Sequence, residues 1–128
     1  MRNPSPRHQK LVSKMIQYFR GKLGYTILNA SYEGYDEPEA HGRHEPDIVA
    51  RDSDEILHLA EAKLGEDLSS STTEEQFLDF SNRVMPETDI PIPFHIIVYA
   101  GDKQNLIDKL RQLGLEQKID DRIKILTL

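Results

Sequence analysis

Asp47, Glu61 and Lys63 are charged residues in stretches that otherwise read as interior: Pro46-Asp47-Ile48-Val49-Ala50 and Leu57-His58-Leu59-Ala60-Glu61-Ala62-Lys63. Two carboxylates converging beside apolar neighbours repel each other and are costly to desolvate unless a proton or a cation lies between them. A divalent ion meets that need. Mg2+ takes one or two carboxylates, keeps several waters and coordinates substrate phosphate. A lysine beside such an ion can orient or help deprotonate an attacking water and offset charge developing on a phosphate. A metal, a water and an ammonium together are the parts of hydrolytic phosphodiester cleavage.

Whether the three meet depends on the elements that carry them. The segment 46–63 reads as a hairpin, with a short strand around Asp47 to Ala50, a turn in Asp52-Ser53-Asp54 and a second strand from Glu55 to Lys63. Strand side chains alternate, so Leu57, Leu59, Glu61 and Lys63 share one face. With an odd turn, such as Asp52 to Asp54, Arg51 faces Glu55 and Asp47 falls opposite Leu59. Asp47 is then diagonal to Glu61 on the same face, roughly 7 to 8 Å away between backbones. An even turn would put Asp47 on the other face, so the site is conditional on this register.

Around the hairpin, Leu11, Val12, Met15, Ile16, Phe19 and Leu23 recur at helical spacing and predict an amphipathic helix from Arg7 to Leu23, ended by Gly24. Arg7, Lys10 and Lys14 cluster nearly opposite that face as a solvated stripe. Residues 25–33 have the β-branched and aromatic content of a strand, and the Gly, Pro and acid-rich stretch after them reads as an exposed loop. Glu74 to Met85 predicts a second helix with Phe77, Phe80, Ser81 and Val84 on one face. Phe94 to Ala100 is a continuous apolar strand of the kind buried on both faces. Asp102 can cap a helix reaching Leu113 before Gly114, and residues 122–128 form a last strand. The order α-β-β-β-α-β-α-β predicts an α/β fold, a mixed sheet with helices on both faces.

The chain has 128 residues and no cysteine, which predicts a single domain without disulfides or a thiolate zinc site. Nothing in it resembles a signal peptide or membrane span, so a soluble cytoplasmic protein is expected. The net charge of −6 argues against a polyanion partner until its distribution is considered. Residues 1–24 hold six cations and no acid, and the other ten cations stand against all 22 acids.

Pro46-Asp47, thirteen intervening residues, then Glu61-Ala62-Lys63 resembles the motif of the PD-(D/E)xK, or restriction-endonuclease-like, nuclease superfamily. The likeness extends by element order over residues 7 to about 100, and archaeal Holliday-junction resolvases are the nearest in size. It implies a restriction-endonuclease-like core in which Asp47, Glu61 and the backbone carbonyl of Ala62 bind Mg2+ or Mn2+ and Lys63 is the catalytic lysine. Many members carry a further acid in the first helix. Here that helix offers only His8 and Gln9; Glu33, at the end of the first strand, and Glu45, just before the motif, are the candidate substitutes, Glu33 the better one, with a solvated loop role as the alternative for either. Gln76 and Phe80 are similar to a glutamine-xxx-aromatic pattern of RecB-type relatives, in which the glutamine points into the site. Thr73 to Gln76 also matches a capping box, in which Gln76 would bond back to the backbone of Thr73.

The expected function is a metal-dependent endonuclease on DNA, more readily branched or structured DNA than a fixed sequence, with Arg7, Lys10 and Lys14 on the phosphate backbone. Two cuts through a duplex favour a homodimer. The alternatives are an inactive module of the same fold that binds nucleic acid or a protein partner, and a ribonuclease. His41 and His44 with Glu45 are too few defined ligands for zinc. His58 and His95 read as strand residues with local hydrogen bonds, and the tyrosines between Tyr18 and Tyr35 as half-buried strand neighbours that could stack on bases.

Overall fold

A computed structural model describes residues 5–38 and 44–128. Helix α1 (Pro6–Gln17) starts at Ser5, whose side chain accepts from the His8 backbone NH, with proline in the first turn where no amide donor is needed. It buries Leu11, Val12, Met15 and Ile16, then widens into a π-helical turn over Tyr18–Lys22 that buries Phe19. Gly24, at φ 71°, reverses the chain into the sheet.

Strands β1 (Thr26–Ala30), β2 (Ile48–Arg51), β3 (Leu57–Ala62), β4 (Phe94–Val98) and β5 (Ile123–Thr127) form one sheet in that order. β1, β2 and β3 are antiparallel neighbours, whereas β3–β4 and β4–β5 are parallel. Parallel neighbours need a crossover. Helices α2 (Ser71–Phe80) and α3 (Lys103–Gln112) lie within those two connections. The product is the expected α/β fold: a five-stranded mixed sheet flanked by helices, compatible with a restriction-endonuclease-like core.

Alternation along the strands divides the interior in two. Ile48, Ala50, Ala60, Ala62 and Ile97 pack with the α1 side chains, while Val49, Leu59, Phe94, Ile96 and Val98 pack with Phe77 and Phe80 of α2 and Leu106 and Leu110 of α3. All five residues of β4 are buried, as befits a strand with a neighbour on each side and helices above and below.

Three boundaries differ from expectation. The hairpin pairs Arg51 with Leu57, so its loop is the five residues 52–56 and not three. Asp52 causes this, because its Oδ1 accepts from the NH groups of Asp54 and Ile56 and closes a larger turn, with Glu55 in the left-handed region at φ 66°. Helix α2 starts earlier, capped by Ser70, and ends at Phe80. Val84 therefore leaves the expected helical face, is 39% exposed, and bridges to Pro91 in a reversal closed by Met85 NH to Ile90 O. Third, β1 is shorter than residues 25–33 and gives way to bends and turns from Ser31. No helix among the described residues is long and apolar enough to cross a membrane.

Candidate active site

The β2–β3 ladder runs from Arg51↔Leu57 to Ile48↔Ala60, so its next step brings Asp47 level with Glu61. The expected diagonal placement is thus corrected to a direct one. The five-residue loop is still odd, which keeps Asp47 on the face of Glu61. The Asp47 NH donates to Ala60 O at 3.0 Å and to Glu61 Oε1 at 2.8 Å, and the Ala62 NH donates to Asp47 Oδ2 at 2.9 Å. Each carboxylate is held by the other strand's backbone. Asp47 is 0% exposed and Glu61 1%.

Lys63, just past the end of β3, completes the group. Its Nζ lies 3.5 Å from Glu61 Oε2 and donates to Gln76 Oε1 at 2.5 Å. Gln76 is well inside α2, because the cap is Ser70, whose Oγ accepts from the Thr73 NH. The Thr73 capping box does not form, and the Gln76 side chain turns to the sheet. A buried ammonium between a carboxylate and an amide oxygen is satisfied where an isolated one would be costly.

One residue that the sequence offered without a role belongs here. His8 Nε2 lies 3.1 Å from Ala62 O and 3.3 Å from Asp47 Oδ2. Both neighbours are acceptors, which places a proton on Nε2. Its Nδ1 is buried and has no hydrogen-bond partner among the described residues. The signal was present: His8 precedes Leu11 and Val12 by three and four residues, on the face α1 buries. Gln9 donates to Ser31 O at 3.0 Å and ties α1 to the segment beside Asp47.

Other sequence candidates stand apart. Glu33 is exposed on the turn after β1, and no hydrogen bond or ion pair among the described residues joins it to the four buried side chains. Substitution for a helix-one acid is therefore not its position. Arg7 and Lys10 are exposed and Lys14 is half-buried. Arg7 is not simply solvated, since it pairs with Glu66 at 3.0 Å and lies over the Tyr99 ring at 5.5 Å. His44 faces Asp79 at 3.3 Å and Glu75 at 3.6 Å, and His41 lies outside the described residues. His58 and His95 are hydrogen-bonded to each other at 2.9 Å, and His58 Nε2 is 2.8 Å from Asp52 Oδ2. Burial, with His58 and Lys124 nearby, pushes His95 down to about 3. Desolvation raises the Asp52 carboxyl, but hydrogen bonds from His58 and the NH groups of Ile56 and Asp54 outweigh it and hold it below its usual range.

The donor chemistry of the Asp47 group fits Mg2+ or Mn2+: two carboxylates and the Ala62 carbonyl are hard oxygen ligands. Among the described residues no three His, Asp or Glu side chains form a ready-made metal cluster. The fit is therefore that of a two-carboxylate site completed by water, which Mg2+ tolerates.

No protein-family model matches the chain, and no curated protein is significantly similar to it. A chain in the solved structure of an EndoMS-dsDNA2 complex is similar at 14% identity and a TM-score of 0.43, over 98% of this chain and 47% of that one. The protein thus spans about half the length of that chain.

Proposed function

We propose that the protein is a metal-dependent endonuclease that hydrolyses DNA phosphodiester bonds at Asp47, Glu61 and Lys63, with Gln76 in support. One observation carries the reading: two carboxylates, an ammonium and an amide, each at most 7% exposed, gather at one sheet end on the face of α2. Folding does not gain from burying such a group, since apolar residues of similar size would avoid the desolvation cost. Charged groups buried together without that gain support a functional site.

Asp47, Glu61 and the Ala62 carbonyl would hold Mg2+ or Mn2+. When bound, such an ion neutralises phosphate charge and acidifies a coordinated water. The chain's own groups do the rest. Lys63, held by Gln76, directs its ammonium to the side of Glu61 and offsets charge developing on the phosphate. His8 supports the Asp47 carboxylate and the Ala62 carbonyl from the α1 side, the position where an acid was expected. The substrate reading is DNA with unpaired or branched features, cut by a homodimer so that two sites reach two strands.

Purified protein incubated with plasmid, junction and single-stranded DNA in Mg2+ or Mn2+ tests this. Cleavage lost with chelator, in Asp47→Asn and in Lys63→Ala is expected. Cleavage that persists in both variants assigns the activity elsewhere. Metal-independent retention of DNA by wild type, with no cutting on any substrate, favours the inactive binding module, and cutting confined to structured RNA favours a ribonuclease.

A further inference from the structure

β4 ends at Val98, beside the end of β3, where the Lys63 NH donates to Ile97 O at 3.1 Å. Tyr99 therefore stands at the same end of the sheet as Asp47 and Glu61. Its hydroxyl donates to the Arg7 carbonyl at 2.9 Å, which pins the ring against the start of α1. Arg7 directly precedes His8, whose ring touches Asp47. Pro6, Arg7, Lys10 and Tyr99 line an open notch of about 360 Å³. One wall is an aromatic ring and two are exposed cations.

We propose that this notch binds one unpaired nucleotide of the DNA strand entering the site, its base stacked on Tyr99 and its phosphate held by Arg7 and Lys10. The identity of the ligand rests on the nuclease reading above. The aromatic wall narrows it further. Duplex phosphates could reach the two cations, but a base locked in a duplex stack has both faces covered and cannot lie on the Tyr99 ring, whereas an unpaired one can. The ring face is now covered by the Arg7 guanidinium at 5.5 Å, which is drawn there by Glu66 at 3.0 Å. Side chains in that ion pair are 60% and 67% exposed, so the pair is weak and a phosphate displaces the carboxylate. Glu66 thus occupies the phosphate's place and competes with the substrate. The tyrosines from Tyr18 to Tyr35, expected as half-buried residues that could also stack on bases, pack against the α1-side core.

Anisotropy titrations of a labelled oligothymidine strand and of a blunt duplex, in chelator so that nothing is cut, test the notch. Tyr99→Leu is expected to weaken single-strand binding about tenfold and duplex binding by less than about twofold, while Tyr99→Phe, which keeps the ring and loses only the hydroxyl's bond to the Arg7 carbonyl, weakens it by about twofold at most. Glu66→Gln is expected to tighten the single strand. In a scan of single abasic positions, one position should erase the difference between wild type and Tyr99→Leu. Equal losses on strand and duplex, a Tyr99→Phe defect as large as that of Leu, no gain from Glu66→Gln, or no such abasic position would each overturn the notch. Metal-dependent cutting with any of those results leaves the nuclease reading intact and removes only the notch. The expected binding pattern in a protein that never cuts removes the nuclease reading and keeps the notch.

Discussion

Lys63 is the residue on which chemistry and stability separate most cleanly. Its ammonium contacts Glu61 and Gln76, and it is not among the groups that would hold a cation. Lys63→Ala should therefore lower cleavage by about a hundredfold or more while calorimetric binding of Mn2+ survives. Asp47→Asn should behave differently, because it removes one of two adjacent buried acids and keeps an oxygen for the Ala62 NH. In the absence of metal it should melt no lower than wild type, and a drop of several degrees would contradict the view that the paired acids are kept for function. At this scale the sequence was informative where motif and apolar context agreed, as for Asp47, Glu61 and Lys63. It offered Glu33 both as a site acid and as a solvated loop residue, and the exposed position favours the second. It offered His8 only as what the first helix has in place of an acid and gave it no role, because a histidine on a basic helix carries no motif, although helical spacing put it on the buried face.

Among the elements, the hairpin between β2 and β3 decides whether the site exists, and Asp52 decides the hairpin. Its side chain accepts from two backbone NH groups and faces His58, so Asp52→Ala should cost about 1 to 3 kcal/mol in chemical denaturation by leaving those groups unpaired. The same network predicts a pH dependence. The folded pKa of His95 is about 3, below its unfolded value, so the unfolded chain binds more protons between roughly pH 6.5 and 3. Its contribution to stability is full above that window and is lost as pH falls through it, with a slope of at most about 1.4 kcal/mol per pH unit. Denaturant midpoints measured across pH 7 to 4 should fall accordingly, and His95→Gln should flatten the curve. Apolar periodicity made α1, β4 and α3 legible to within a few residues. The parity of the hairpin turn was also recoverable, but its length was not, because it follows from Asp52 side-chain bonds that leave no periodic trace. The start of α2 was misread for a related reason: the serines and threonines before it, Ser69 to Thr73, offer several caps, and tertiary packing of Phe77 and Phe80 selects Ser70.

For the molecule as a whole, the separation of a basic N-terminal segment from an acidic body frames how DNA would be held. Binding should be strongly salt-dependent despite the net charge of −6. Replacing Lys10 and Lys14 by Ala should reduce the slope of log affinity against log salt by about 1 to 2. If cleavage needs two sites, sedimentation should give a mass near twice 14.7 kDa under conditions that support cutting. Charge asymmetry and element order were both open to inspection in the sequence. The meeting of β4's end with the start of α1, which builds the Tyr99 notch, depends on three-dimensional packing between residues 92 positions apart.

The most direct test is the affinity of the metal-free protein for Mn2+, followed by loss of the free-ion electron paramagnetic resonance signal. Wild type and Lys63→Ala should both deplete that signal, whereas Asp47→Asn and Glu61→Gln should leave it close to that of buffer. Equal depletion by all four proteins, or none by wild type at millimolar protein, would contradict a cation held between the two acids.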